Sequence, residues 1–274
     1  MTGNTEHALG PGHLAGCLAL SRAANWNQNE ADWRLMLELG RGWGISRADG
    51  KLVASTLVLP YGAFAWISMV LVLPEQRRKG YASRLLRVAI AELERRGQLP
   101  VLDATPAGRE VYRREGFRDT WGFKRFHLAQ AAQPQGAGHA KPIDGWESAL
   151  ALDAEAFGGP RAPLLRALQA RMPRCALELP GKGFVLARDG REAAQIGPLV
   201  ARDEANAVAL LGAALRAVRP PLYVDAADHA PRLQEWLLAQ GFIVQRPFTR
   251  MVRGAARAPG NEKLVYLVAG PELG

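Results

Sequence analysis

Apolar residues recur at two different periods along this chain, and the switches between periods mark its elements. Over residues 14–24 and 30–39 they return three and four positions apart, the spacing of short helices with one buried face. The intervening "NWNQN" has the Asn residues of a loop and an N-cap, not of a helix interior. Strands are predicted at 43–47, 52–59 and 65–73, joined by "ADG" and "PYG" turns. Helical spacing resumes at Ala82, Leu85, Leu86, Ala89, Ile90 and Leu93, and Gly97 stops it. A strand "PVLDA", a helix around Glu110 to Glu115 and a strand "KRFHLA" complete this half.

Residues 129–142, "AQAAQPQGAGHAKP", lose the large apolar side chains and have the composition of a linker. They divide the chain into residues 1–128 and 143–274, in keeping with a length of 274 residues. Motifs then return in the same order. "RADGKLV" (47–53) is followed by "ARDGREA" (187–193), "VLDAT" (101–105) by "YVDAAD" (223–228), and "REGF" (114–117) by "AQGF" (239–242). The pattern is a degenerate tandem repeat of one α/β unit.

Composition narrows the classes of function. The net charge of +9 comes from 35 basic residues, 29 of them Arg, against 26 acidic ones. These cations are dispersed and not interleaved with an aromatic platform, so nucleic acid is a poorly supported partner and would require strongly salt-dependent binding. Cys17 and Cys175 sit in apolar patterns, which points to reduced, buried thiols and a cytoplasmic protein. No basic region precedes an apolar run at the N-terminus, so no signal peptide is expected. Residues 52–73 carry no charge, but Pro60 and Gly62 break them into two strands and no membrane span is expected. Zinc-ligand spacing, a P-loop and a Gly-x-Ser-x-Gly elbow are all missing, and no metal is expected.

The most informative stretch is "VLVLPEQRRKGYASRLL", residues 70–86. A helix start leaves about four N–H groups unpaired and carries roughly half a positive charge. Acidic side chains or a cap commonly satisfy that end, yet here the junction holds Arg77, Arg78 and Lys79. Gly80 and the small Ala82 let an anion approach the main chain, and a pyrophosphate fits this arrangement best.

The loop "RRKGYA" (77–82), with "VLP" (72–74) before it and "LDATPAGREVYRREGF" (102–117) after it, resembles the Gcn5-related N-acetyltransferase (GNAT) superfamily, whose cofactor loop reads Gln/Arg-x-x-Gly-x-Gly/Ala. "NWNQNEADW" (25–33), "RPFTRM" (246–251) and "AGPELG" (269–274) extend the likeness to bacterial members with a second, divergent acetyltransferase-like domain. The resemblance implies an α/β fold of two tandem GNAT domains, each a mixed, mostly antiparallel sheet flanked by helices, the second degenerate. It implies that the main chain of Val70, Leu71 and Val72 pairs with the pantetheine arm of acetyl-CoA. Arg77, Arg78, Lys79, Gly80, Tyr81, Ala82 and Ser83 would hold the pyrophosphate. Arg78 stands where many relatives have glycine, and a positive φ there would count against the match.

Tyr112 matches the family tyrosine placed to protonate the leaving thiolate, and backbone N–H groups near Met69 to Leu71 would polarise the thioester. Asp103 is a candidate base, or equally the cap of the "DATP" turn. Glu30 and Asp32 are weaker candidates for the acceptor side. Trp26 and Asn27 are expected to shape the acceptor pocket, with Thr249 and Arg250 as possible lining residues. In the second half, "GPLVARDEANAVALL" (197–211) has no glycine loop, and Asp203 would cap the helix itself while Glu204 repels a pyrophosphate. One acetyl-CoA per chain is therefore expected, in the N-terminal domain. The expected activity is N-acetyl transfer to a primary amine of a small metabolite by direct attack in a ternary complex. The alternative is a non-catalytic acyl-CoA sensor or interaction module. A monomer or homodimer is expected.

Overall fold

The computed structural model describes residues 4–130 and 140–274. Most of the linker expected at 129–142 lies outside the described residues. The first half runs β1 (Thr5–Leu9), α1 (Leu14–Ala23), α2 (Glu30–Leu39), β2 (Arg41–Ser46), β3 (Leu52–Pro60), β4 (Phe64–Val72), α3 (Tyr81–Arg95), β5 (Leu99–Ala104), α4 (Pro106–Arg114) and β6 (Arg118–Leu128). The second runs β7 (Lys141–Pro142), α5 (Glu147–Phe157), α6 (Ala162–Arg171), β8 (Leu177–Leu179), β9 (Gly183–Arg188), β10 (Ala194–Ala201), α7 (Glu204–Ala217), β11 (Leu222–Ala227), α8 (Pro231–Ala239), β12 (Ile243–Val252) and β13 (Val265–Leu267).

Local chemistry explains the boundaries. Asn29 caps α2, accepting from Asp32 N–H at 3.1 Å while the Asp32 carboxylate takes Asn29 N–H at 3.0 Å. That reciprocal pair satisfies two otherwise unpaired amides. In α3 the expected stripe of Leu85, Leu86, Ala89, Ile90 and Leu93 is buried. It packs on Val58, Ala65, Ile67, Leu102 and Phe117. Strand β1, which the hydrophobic pattern did not announce, holds few large apolar residues and owes its form to the antiparallel ladder with β2.

Among the described residues thirteen strands join one sheet, in the order β1-β2-β3-β4-β5-β12-β6-β11-β13-β10-β9-β8-β7. The halves exchange their last long strands. β12 of the second half lies between β5 and β6 of the first, and β6 lies between β12 and β11 of the second. The exchanged strands are counterparts in the repeat, and they make matching contacts. Phe123 and Phe248 each fall six residues beyond a Gly-Phe pair, are register partners, and stack with centroids 5.1 Å apart. Two residues further on, Arg125 grips Asp225 at 2.8 and 2.7 Å, and Arg250 grips Asp103 at 2.9 and 3.0 Å. Each half thus neutralises the buried aspartate of the other, and removing one partner of such a pair typically costs about 3–5 kcal/mol.

Cys17 and Cys175 are free and buried, and burial pushes both thiols up to about 12. Among the described residues no helix is long and apolar enough to cross a membrane, and no group of His, Cys, Asp and Glu is placed to hold a metal.

Candidate active site

Parallel strands β4 and β5 pair only from Phe64–Leu99 to Trp66–Val101. Beyond Trp66 they diverge, leaving the β4 edge from Ile67 onward without a strand neighbour on that side. An antiparallel ladder to β3 also breaks here. Ser55 pairs with Leu71 and Leu57 with Ser68, so Met69 and Val70 form a bulge, with Met69 at φ 52°. Ser55 Oγ donates to Met69 O at 2.8 Å and holds the bulge in place. A bulge of this kind interrupts the ladder and leaves its extra residue unpaired, and both residues line the cleft.

The cation-rich loop sits at the end of β4. Gly80 adopts φ 78°, and a Cβ built on it would meet nothing within 4 Å. No side chain caps α3. Its Arg84 N–H bonds Gly80 O at 2.9 Å, and among the described residues none of the amides from Arg78 to Ser83 has a main-chain partner. Lys79 Nζ donates to Gln76 Oε1 at 2.9 Å, and Tyr81 Oη accepts from Asn4 at 2.6 Å. Arg78 has φ 63°, a left-handed conformation costing a non-glycine residue about 1–2 kcal/mol. The positive φ that would count against the loop's match to the family is therefore present, and an arginine adopts it.

The splay opens into a cleft lined by residues of both halves. One wall is the β4 segment 67–70 with Asp103, Thr105 and Tyr112; the other comes from the second half, through Arg246, Phe248, Pro271 and Glu272. Trp26, Asn27, Gln28 and Arg125 complete it. The "NWNQ" loop is tied to the second half: Asn27 Oδ1 accepts from the amides of Glu192 at 2.8 Å and Ala193 at 3.1 Å, Asn27 Nδ2 donates to Ala193 O at 2.9 Å, and Arg191 donates to Trp26 O at 3.0 Å.

Tyr112 lies half-buried against Phe117, edge to face at 6.1 Å. Gly108, one turn earlier, makes room for the ring, since a Cβ there would come within 3.0 Å of Tyr112 Cε2. Burial pushes the phenol up to about 12, so it stays protonated at neutral pH. Asp103 faces the cleft, but both its oxygens accept from Arg250. Burial raises its carboxyl, against the pull of that guanidinium. The cap of α4 is Thr105, whose Oγ1 takes Gly108 N–H at 3.2 Å. Arg250 lies behind the cleft wall, its guanidinium between the rings of Trp66 and Trp121 at 4.4 and 4.3 Å. Thr249 is a register partner of Ala104, outside the lining. Glu30 is an exposed partner of Arg34, and Asp32 is buried between Arg171 and Arg188.

Glu272, Gln28, Ser68 and Arg246 line the cleft without having been singled out from the sequence as site residues. Glu272 is buried with Arg188 on one carboxylate oxygen. Only its place within "AGPELG" hinted at a role, because its distance in sequence from the cofactor loop hides their proximity.

The GNAT acetyltransferase family matches residues 14–117, and a GNAT acetyltransferase domain matches residues 149–267. No curated protein matches the sequence. Among solved structures, a Pyrococcus horikoshii protein described as a putative acetyltransferase aligns over 100% of this chain and 97% of its own, at TM-score 0.82 and 22% identity. A GCN5-related N-acetyltransferase from Sphaerobacter thermophilus aligns over 94% and 97% at TM-score 0.66 and 16% identity, and one from Anabaena variabilis over 91% and 72% at 0.56 and 16%. At such identities the structures speak for the fold, while the two family matches cover both repeats. The chain is an acyltransferase that belongs to the GNAT acetyltransferases, as a member with two such domains in tandem.

Proposed function

We propose that this protein is an N-acetyltransferase that moves the acetyl group of one acetyl-CoA, bound by the first half, to a primary amine of a small metabolite by direct attack in a ternary complex. The observation that carries this reading is the conjunction of an unpaired β4 edge, an uncapped cationic helix start that follows that strand, and a protonated Tyr112 in the lining of the cleft at the strand. The pantetheine arm would pair with Val70 to Val72, and the pyrophosphate would take the amides of residues 78–83 with support from Arg77, Arg78 and Lys79.

In the reaction the amine nitrogen, having lost its ammonium proton, attacks the thioester carbon. The oxyanion that forms is held by amides at the Met69–Val70 bulge. On collapse the C–S bond breaks, the N–C bond remains, the nitrogen sheds its second proton through the cleft to solvent, and Tyr112 gives its proton to the thiolate and is reprotonated from solvent. A free alkyl amine has a pKa of about 10.4, so the ammonium proton must first leave through the cleft. With both oxygens on Arg250, Asp103 serves the strand exchange better than it serves as that base.

Release of the CoA thiol in a screen of amines tests this reading. Tyr112→Phe is expected to lower kcat by about 10²–10⁴-fold with the affinity for acetyl-CoA unchanged. Because burial holds the phenol at about 12, the acid form persists above the ordinary tyrosine range. The rate should then rise with pH as amine is freed and show no alkaline decline below about pH 10. Binding of acetyl-CoA with no turnover of any amine would favour an acyl-CoA sensor instead.

A further inference from the structure

The cleft lining carries unpaired groups of both polarities, and these bear on what the acceptor is. Gln28 Oε1 and Ser68 Oγ are buried polar atoms with no hydrogen-bond partner, although both residues are at least nine-tenths buried and line the cleft. A buried polar atom left without a partner destabilises the fold, so such atoms mark where a ligand's donors belong. Glu272 stands in the same lining. It is buried in a cluster in which Arg188 bridges it to Asp32, itself held by Arg171. Glu272 is the member of that cluster that lines the cleft, beside two acceptors.

Arg246 presents the opposite case. Its Nε is buried and has no partner, and among the described residues no carboxylate pairs with it. Its guanidinium rests on the Phe248 ring at 5.2 Å, while Arg125, the neighbouring cleft cation, is already matched by Asp225. Burial, with Arg125 adding repulsion, pulls the Arg246 guanidinium below its ordinary value. The repeat sharpens the point. Arg246 stands four residues beyond Phe242, where the first half has Trp121 four residues beyond Phe117. An aromatic that covers the buried Arg250 in one half is replaced in the other by an uncompensated cation at the mouth of the acceptor cleft.

We propose that the acceptor is an amine that also bears a carboxylate, an amino acid or close analogue, with its carboxylate on Arg246 and its ammonium received by Glu272, Gln28 and Ser68. A neutral acceptor leaves Arg246 without a counter-ion, and a polyamine adds a second cation beside it. The proposal rests on the acetyltransferase reading above and narrows its acceptor. In the bound state the ammonium meets Glu272 before it surrenders its proton, which makes this carboxylate the natural first stop for that proton.

The test uses acetyl-CoA with each standard L-amino acid and β-alanine, every one beside its own carboxamide, with CoA thiol release as the readout. A charge-assisted contact of about 1.5–3 kcal/mol corresponds to a preference of roughly 10- to 100-fold in kcat/KM for the carboxylate form. In Arg246→Gln that preference should vanish through a raised KM for the acid, with the carboxamide unaffected and with Arg246→Lys recovering part of it. Wild-type enzyme that uses carboxamides as well as acids, or an Arg246→Gln that slows both alike, would overturn the proposal while leaving acetyl transfer standing. Turnover of no amine at all would defeat the acetyltransferase reading and the proposal with it. Calorimetric titration of the same acids and amides, in the presence of CoA, reads acceptor binding without chemistry and must show the same preference.

Discussion

The two halves open the same splay in their sheets and treat it in opposite ways. In the first, β4 and β5 part after Trp66 and, among the described residues, no strand enters between them. In the second, β10 and β11 pair over Ala194–Leu222 to Ile196–Val224, and then β13 fills the gap, with Leu267 facing Leu199 on one side and Ala226 on the other. The main-chain edge that a pantetheine arm would need is spent on the protein's own backbone. Helix starts differ in the same sense: α3 is uncapped behind Gly80, whereas Asp203 Oδ1 takes Asn206 N–H at 2.8 Å at the head of α7. Counting back from the Gly-Phe pairs, the counterpart of Tyr112 is Leu237, fully buried. A duplicated unit has kept its scaffold in both copies and the features suited to acyl transfer in one, while the second copy contributes the far wall of the first copy's cleft.

This contrast can be broken at several points. The largest effect is expected for Arg250→Leu, which strands the buried Asp103 carboxylate; denaturant unfolding should show a loss of about 3–5 kcal/mol, and Arg125→Leu should match it by symmetry. Next comes Leu267→Ala in the strand that fills the second splay. A loss of about 2–5 kcal/mol is expected, with acetyl-CoA stoichiometry unchanged because the polar features of a cofactor site are still missing there. Asp203→Ala removes a cap and should cost about 0.5–2 kcal/mol without touching acetyl-CoA affinity. The smallest effect is Arg78→Gly. Relief of the left-handed strain, offset by the extra freedom of glycine in the unfolded chain, should stabilise by less than about 1 kcal/mol in thermal unfolding.

Elements with a strong period were legible in the sequence, as the α3 stripe and the bounds of α2 illustrate. So was the loop, because its cations contradict what a helix start ordinarily carries. Strand exchange was not legible. Lys124 to Phe126 read as a plain strand whether its neighbours come from its own half or the other, since pairing leaves no mark on a single strand's apolar pattern. The insertion of β13 was hidden for the same reason, being only three residues long. Arg250 looked like a pocket residue and proved to lie between two tryptophans, while Arg246, four residues earlier, lines the cleft. Alternation places both on similar footing, and only the third dimension separates them.

Calorimetric titration of acetyl-CoA into the wild type and into Gly80→Glu tests the central claim most directly. A glutamate there would be strained at φ 78° and would set a carboxylate where the pyrophosphate is expected. The account predicts one site per chain in the wild type and none in the mutant. Two sites in the wild type, or one that survives in Gly80→Glu, would contradict it.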